Sequence, residues 1–209
     1  MANVLLDMDN TLTRVDVILD RMSNVFQKEI VSADKLESFK LAKAFDVTEE
    51  QEKFFWEHYG YEVIEKSEPN EKVIESLFKN VIKNDDKVYI ITARPESQRK
   101  ITEDWISRFK IPHSDLILTG NHSKIQHIEN LMLDTIIDDN PTLFEEIESV
   151  PKVFPNSFIS KIVKDKTIKR YAVDFNYNKD SLVEYRINRD TGEITNGINQ
   201  AQWSKKKNN

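Results

Sequence analysis

Four short apolar segments alternate with stretches of helical periodicity, and this alternation most limits the folds open to the 209-residue chain. The apolar segments lie at residues 4–6, 88–91, 116–118 and 135–137. Between them, residues such as Ile101, Trp105 and Phe109 recur at the spacing of one helix face. Strands that alternate with helices of this length predict parallel pairing with right-handed crossovers. We therefore predict an α/β fold with a three-layer, Rossmann-like parallel sheet.

Residues 14–69 interrupt the alternation with two helical patterns. The first is an apolar stripe formed by Ile18, Met22, Val25, Phe26 and Ile30. Thr48 and Gln51 match a capping box at the start of a second helix, which Gly60 is placed to end. A helical insertion of this length between the first two strands predicts a cap over the sheet.

The sequence after Pro155 has a different texture, with short strand-like segments separated by turn residues. The segments lie at residues 171–175, 182–187 and 193–195. We predict a β-meander, a β-rich C-terminal extension of residues 156–209 that the chemistry does not need. The remaining domain boundaries then follow, with a core of residues 1–13 and 70–155 and a helical cap of residues 14–69.

Each of the four apolar segments leads to polar residues that phosphate chemistry can use. In chain order these residues are Asp7 with Asp9, Thr92, Lys124, and Asp138 with Asp139. Ligands bind beyond the carboxyl ends of the strands in an open parallel sheet, so we expect these side chains to converge. Buried anions are costly unless a cation offsets their charge. The pattern therefore predicts a phosphoryl-transfer site that uses Mg²⁺.

The carboxylates divide the chemistry between them. Asp7 is placed to be the nucleophile that accepts the phosphoryl group and forms an aspartyl phosphate. Asp9 can protonate the leaving oxygen and then activate water as a general base. Because Mg²⁺ takes oxygen ligands and keeps several waters, Asp7, the backbone carbonyl of Asp9 and Asp138 would suffice to hold it.

Four further residues have predicted supporting roles. Thr92 can donate a hydrogen bond to the transferring phosphoryl oxygens, and Lys124 can balance the acids, although by itself Lys124 also fits a surface position. Asp139 is predicted to lie behind the ligands, where it orients a metal-bound water or Lys124. Arg94 is placed either to contact the substrate phosphate or to pair with a surface acid.

Four motifs in this order resemble those of the haloacid dehalogenase superfamily of aspartate-nucleophile phosphatases. They are LLDMDNTLT, IITARP, the Lys of NHSK, and IIDDNP, and the match spans residues 3–141. Within the superfamily the chain resembles the 5′(3′)-deoxyribonucleotidases and the related bacterial nucleotidases. Asn10 departs from the glycine that nucleotidases usually carry, and the segment after Pro155 lies outside the resemblance.

The resemblance implies a Mg²⁺-dependent phosphomonoesterase, a 5′-nucleotidase acting on deoxynucleoside or nucleoside monophosphates. The substrate partner would then be a small phosphate ester. Trp56 and Tyr59 in the cap are candidates to stack on a nucleobase, and the competing interpretation places such aromatics in the core of the cap. The alternatives are a phosphatase of another ester or of a nucleic-acid 3′-phosphate end, and a binding module that does not turn over substrate.

Charge is unevenly divided along the chain, whose net charge is −6. Residues 1–150 hold 18 Lys and Arg against 30 Asp and Glu, whereas residues 151–209 hold 12 against 6. A basic C-terminal third can approach nucleic acid, or it can be a solvated surface that ends in Lys205, Lys206 and Lys207. The sequence leaves a homodimer open as a further partner.

The remaining composition bears on where the protein works. Zero cysteines fit a reducing compartment. The sequence has no apolar run of 18 residues and no pattern of a signal peptide. We therefore expect a cytoplasmic protein without a membrane partner.

Overall fold

The computed structural model describes residues 1–29 and 31–198. The strands are β1 Asn3–Leu6, β2 Lys87–Thr92, β3 Asp115–Leu118, β4 Thr135–Asp138, β5 Lys169–Val173, β6 Tyr185–Ile187 and β7 Ile194–Asn196. The α-helices are α1 Asp16–Phe26, α2 Leu41–Phe45, α3 Glu49–Lys66, α4 Glu71–Ser76, α5 Arg99–Arg108, α6 Ile125–Asn130, α7 Pro141–Val153 and α8 Phe158–Lys164. Among the helices of these residues, none is long and apolar enough to cross a membrane.

One sheet contains all of these strands, in the spatial order β3-β2-β1-β4-β5-β6-β7. The pairs from β3 through β6 are parallel, and β7 alone runs antiparallel to its neighbour. The predicted α/β fold with a parallel sheet is confirmed, and the four predicted strands lie side by side. Strand β1 is flanked by β2 and β4, so the carboxyl ends of these strands meet at one edge.

The sheet is buried on both faces, which makes the fold three-layered. Successive side chains of a strand point to opposite faces. Val4 and Leu6 of β1 accordingly pack in one apolar cluster with Trp105 of α5, while Leu5 packs in the other with Phe144 of α7. Burial on both faces explains why the strands read as continuous apolar runs rather than as alternating ones.

The inserted segment is helical, as predicted, and it consists mainly of α1, α2 and α3. The capping box of Thr48 and Gln51 is confirmed at the start of α3. The prediction that Gly60 ends this helix is wrong, because α3 continues to Lys66. A Cβ atom at Gly60 would lie 2.9 Å from Gln98 Nε2, so the glycine serves a close approach of α3 to the loop after β2. Ile30 of the predicted stripe lies outside the described residues.

The C-terminal segment is not a meander, and that part of the prediction is wrong. Strand β5 pairs in parallel with β4, and β6 pairs in parallel with β5, so both continue the main sheet. Only β6 and β7 form a hairpin, whose turn contains Gly192 with a left-handed φ of 72°. Helix α8, for which we had no prediction, packs beneath β5 through the buried Ile159. The division into core, cap and extension otherwise stays a prediction.

Because the C-terminal segment completes the core, shortening a buried side chain there should destabilise the whole protein. Val183, which is fully buried, packs in the same apolar cluster as Leu5 and Phe144. We expect Val183→Ala to lower the free energy of unfolding by about 2 kcal/mol, from lost burial and a residual cavity. The same substitution at Val153, which is 64% exposed, should change it by less than about 0.5 kcal/mol. Urea unfolding followed by circular dichroism measures both, and equal effects would show that the segment is an appendage.

Candidate active site

The ends of β1 and β4 bring three carboxylates together. The Asp7 backbone N–H donates to the Ile137 carbonyl at 2.9 Å, which continues the β1–β4 pairing to the last residues before the site. Oxygen atoms of Asp7, Asp138 and Asp139 lie within 4.8 Å of one another, and all three residues are buried. The predicted convergence of the first and fourth strand ends is therefore present in the structure.

Lys124 reaches this cluster from the loop after β3. Its Nζ donates to Asp7 Oδ1 at 2.5 Å and to Asp138 Oδ2 at 2.7 Å, and the residue is only 8% exposed. Gly120 and Asn121 both adopt left-handed backbone angles, and their N–H groups donate to carbonyls of the loop after β2. This turn fixes the start of α6 and with it Lys124. The structure therefore excludes a surface position for Lys124 and places its ammonium group between two of the acids.

The charges of the cluster are not balanced by the lysine alone. Burial raises the pKa of the Asp7 carboxyl well above its usual value, against the opposing effect of Lys124. Burial and the neighbouring Asp138 likewise raise the pKa of Asp139 to about 7. Burial would lower the pKa of Lys124, yet the carboxylates of Asp138 and Asp7 outweigh it and raise that pKa. One ammonium thus faces three acids, and the site favours a further cation.

The donor set fits a hard divalent ion. Carboxylate oxygens are the ligands that Mg²⁺ prefers, and Asp7, Asp138 and Asp139 each offer one within the 4.8 Å cluster. Asp138 is also fixed from its other side, since its Oδ1 accepts the Asn140 N–H at 2.9 Å. Asp139 is predicted to lie behind the metal ligands, yet one of its oxygens belongs to the same 4.8 Å cluster as those of Asp7 and Asp138. The Asp9 carbonyl stays a predicted ligand.

Asp9 lies beside this cluster in a separate ion pair. Arg94 holds both of its carboxylate oxygens, with Nη2 at 2.5 Å from Oδ1 and Nε at 2.9 Å from Oδ2. Thr92, fully buried, donates to Asp9 Oδ2 at 3.4 Å. Arg94 Nη1 also donates to Thr102 on α5, so the guanidinium is anchored to the core. Arg94 therefore pairs with an acid of the site rather than with a surface acid, and its contact with substrate stays a prediction.

Three residues of the site have no counterpart in the sequence prediction. Asn10 Nδ2 donates to Asp139 Oδ2 at 3.1 Å, and the Tyr177 hydroxyl donates to the same oxygen. Asn178 Nδ2 donates to the Asp139 backbone carbonyl at 2.9 Å. Tyr177 and Asn178 lie in the loop after β5. The sequence offers one signal for the last two residues. If the segment of β5 is read as a parallel strand, the loop after it must lie at the carboxyl edge of the sheet.

The cap aromatics are packed mainly against one another. The Tyr59 ring lies 5.8 Å from that of Phe55, and the Arg21 guanidinium lies 4.5 Å over it. Trp56 meets the Phe55 ring edge-on at 5.4 Å, and a Cβ at Gly60 would lie 3.3 Å from it. Both residues are partly buried, so the structure favours the core interpretation for much of their surface, and base stacking stays a prediction.

The chain is similar in sequence to bacterial proteins that are named as nucleotidases. No family model matches the chain. Among proteins of known sequence, it is similar to "Putative nucleotidase YqfW" of Bacillus subtilis, with 26% identity over 200 residues, 90% of this chain and 100% of the relative. A second "Putative nucleotidase", from Halalkalibacterium halodurans, is 24% identical over 79% of this chain and 85% of its own length. The predicted resemblance to this nucleotidase group is confirmed.

Among solved structures, a HAD-superfamily hydrolase from Geobacter sulfurreducens aligns with a TM-score of 0.43 and 13% identity, over 83% of this chain and 87% of that one. The sequence comparison also corrects the extent of the resemblance. A match to 90% of the chain leaves about 21 residues unaligned, so it must include β5 and β6. The prediction that the segment after Pro155 lies outside the resemblance is wrong.

Replacing Lys124 should destabilise the fold, because the repulsion among the three acids is then uncompensated. We expect Lys124→Met to lower the free energy of unfolding by about 3 kcal/mol, because the buried carboxylates of Asp7 and Asp138 lose the ammonium group that pairs with them. Adding Mn²⁺ should recover part of this loss, since a bound cation replaces the missing charge. Lys100→Met, at a lysine side chain that is 78% exposed, is the matched control. Denaturant unfolding with and without Mn²⁺ measures both effects, and a loss no larger than the control's would contradict this account of the charges.

Proposed function

We propose that the protein is a Mg²⁺-dependent phosphomonoesterase that works through an aspartyl phosphate on Asp7, with nucleoside 5′-monophosphates as substrates. The observation that carries the proposal is the buried Asp7, held by Lys124 and faced by Asp138, with Asp9 two residues away on the same loop. A nucleophilic carboxylate, a fixed ammonium and a second acid within reach are the parts that phosphoryl transfer through aspartate requires.

In the first step Asp7 attacks the phosphorus atom of the ester. Its Oδ1 is held by Lys124, and no hydrogen bond to Oδ2 is found among the described residues, so Oδ2 is the free nucleophilic atom. The bond from phosphorus to the leaving oxygen breaks as the new bond forms, and Asp9 gives its proton to the departing alcohol. The Lys124 ammonium holds Asp7 in place against the approaching negative phosphate.

In the second step water hydrolyses the acyl phosphate. Asp9, now ionised, takes a proton from the water as its oxygen attacks phosphorus, and inorganic phosphate and free Asp7 result. Arg94 holds both carboxylate oxygens of Asp9 and so fixes the position of the group that takes this proton. Thr92 is adjacent and is assigned the hydrogen bond to the phosphoryl oxygens.

Mg²⁺ would be held by Asp7 and Asp138, with Asp139 beside them, and would supply positive charge to the phosphoryl oxygens in the transition state. The residual negative charge of the cluster supports this part of the proposal. Without a divalent cation, the repulsion between the phosphate and three carboxylates would oppose substrate binding.

The names of the relatives support nucleotides as the substrate class. A nucleic-acid end stays the alternative substrate. A strand of nucleic acid needs exposed cations for its phosphates. Arg170, which pairs with Glu148 and Glu184, and Arg186, which pairs with Asp174, do not supply them. Lys205, Lys206 and Lys207 lie outside the described residues.

The first test of the proposal is the nucleophile itself. We expect Asp7→Asn to lower kcat by at least about 10³-fold, because an amide cannot form the acyl phosphate. Asp85→Asn, at an exposed acid near the amino end of β2, should retain full activity. Phosphate release from dUMP with Mg²⁺ gives kcat, and thermal unfolding checks that both variants fold. Substantial turnover by a folded Asp7→Asn protein would exclude Asp7 as the nucleophile.

The second test is a substrate panel with released phosphate as the readout. We expect nucleoside 5′-monophosphates to give a higher kcat/KM than glucose 6-phosphate, nucleoside 3′-monophosphates or an oligonucleotide with a 3′-phosphate. The difference should be roughly 10-fold or more if a base or sugar contact adds about 1.4 kcal/mol to transition-state binding. A preference for the oligonucleotide end or the sugar phosphate would overturn the nucleotidase assignment. No release from any ester would favour a binding module.

A further inference from the structure

We propose that Tyr177 and Asn10 are positioning residues of the metal site, which together fix the carboxylate of Asp139 by holding one of its oxygens. The inference concerns the cation site of the proposed function and does not depend on which ester is the substrate. The inference gives a role to the loop after β5. This loop lies in the C-terminal segment, which the sequence pattern predicts to be unnecessary for the chemistry.

Both donors converge on one oxygen of Asp139. Asn10 Nδ2 lies 3.1 Å from Asp139 Oδ2, the Tyr177 hydroxyl donates to the same atom, and Asn10 Nδ2 lies 3.4 Å from the Tyr177 oxygen. An ionised carboxylate only accepts hydrogen bonds, so both side chains must act as donors here. With Oδ2 held in this way, the carboxylate of Asp139 has a fixed orientation beside Asp7 and Asp138.

The Tyr177 ring is held on two sides, so its hydroxyl has little freedom. Phe175 stacks on it with ring centroids 5.0 Å apart and an interplanar angle of 9°. Phe39, from the linker between α1 and α2, meets it edge-on at 5.7 Å. Aromatic packing of this kind places a polar tip at small entropic cost. Preorganisation by packed neighbours is what a supporting residue of a metal site requires.

The backbone around Tyr177 is fixed to the same loop. Asn178 is fully buried, and its Nδ2 donates to the carbonyls of Asp139 at 2.9 Å and Val173 at 2.7 Å. Its Oδ1 accepts the Phe175 N–H at 3.1 Å. The turn after β5 is therefore tied to the residue that follows β4, and the backbone on either side of Tyr177 is held in place.

Asn10 adds a hydrogen-bond donor at a backbone position that favours glycine. Its φ of 64° lies in the left-handed region, where glycine is the default residue. Asparagine tolerates this region and adds an amide that glycine lacks. The side-chain oxygen of Asn10 is buried without a hydrogen-bond partner among the described residues, which costs free energy. The contacts of its NH₂ group with Asp139 and Tyr177 offset that cost.

Hydrogen bonds behind a ligand set its orientation, and their removal typically weakens metal binding by about 10- to 100-fold. We therefore expect Tyr177→Phe, which keeps the ring and removes the hydroxyl, to raise the Kd for Mn²⁺ by about 10-fold. Asn10→Gly, which suits the backbone angle, should raise it in the same direction. The double variant should lose less than the product of the two effects, because both donors hold one oxygen.

The experiment is a Mn²⁺ titration of the full chain, with free ion measured by electron paramagnetic resonance. Tyr185→Phe is the matched control, since Tyr185 stacks on Tyr171 within the sheet. Metal-free thermal unfolding is recorded for each variant, and Asn10→Gly decides the question if Tyr177→Phe does not fold. A Kd that stays within twofold of the wild type, or that falls, in folded Tyr177→Phe or Asn10→Gly would overturn the inference.

This design separates the inference from the proposed function. Phosphate release from dUMP by the wild type, together with a Mn²⁺ affinity that neither variant changes, would reject the positioning role and leave the phosphatase intact. Weaker Mn²⁺ binding by both variants, in a protein that hydrolyses no phosphate ester, would support the positioning role and reject the phosphatase. A loss of affinity in Tyr185→Phe equal to that in Tyr177→Phe would also overturn the inference, because the effect would then be a general one.

Discussion

The ammonium group of Lys124 between Asp7 and Asp138 is the interaction on which the rest of the site depends. Three carboxylates that are buried within 4.8 Å of one another repel strongly in a medium of low dielectric constant. The lysine relieves part of this repulsion and joins the loop after β3 to the ends of β1 and β4. What remains is an excess of negative charge that a divalent cation can neutralise, so the ion pair of Lys124 and the proposed metal site have one physical origin.

The C-terminal segment belongs to this arrangement rather than standing apart from it. Strand β5 extends the parallel sheet beyond β4, and the loop after it reaches the carboxyl edge, where Tyr177 and Asn178 contact Asp139. The same segment meets the linker of the cap, since Arg189 forms an ion pair with Asp34. The loops after β4 and β5 therefore meet at the carboxyl edge of the sheet, which is where the proposed function places the substrate.

Much of the fold and most of the candidate site could be predicted because the relevant signals are local. A buried strand of four to six residues reads as an apolar run, and the polar residue after it marks the carboxyl end, as Asp7 and Asp138 do. The direction of β6 could not be predicted. Residues 178–180 have the composition of a hairpin turn, and this composition does not show whether the next strand runs antiparallel or parallel to the one before it. Parallel pairing of β5 and β6 joins residues that are 14 positions apart along the chain, and no local pattern encodes it.

The other features that could not be predicted depend on contacts between residues far apart in the sequence. Gly60 looks like a helix end in sequence, yet its lack of a side chain serves the approach of Gln98, 38 positions along the chain. The Asp9–Arg94 pair spans 85 positions, and the Tyr177–Asp139 contact spans 38. Charge and spacing identify the reactive residues, whereas the residues that orient them are visible only once the strands are assembled.

The most direct measurement is a crystal structure of the protein with Mg²⁺ and beryllium fluoride, which mimics the phosphoryl group on an aspartate. We expect one ion at about 2.0–2.1 Å from oxygens of Asp7 and Asp138, with the fluoride group attached to Asp7 and Lys124 beside it. An ion bound elsewhere, or no metal density between these carboxylates at saturating Mg²⁺, would contradict the claim that this cluster is a cation-dependent phosphoryl-transfer site.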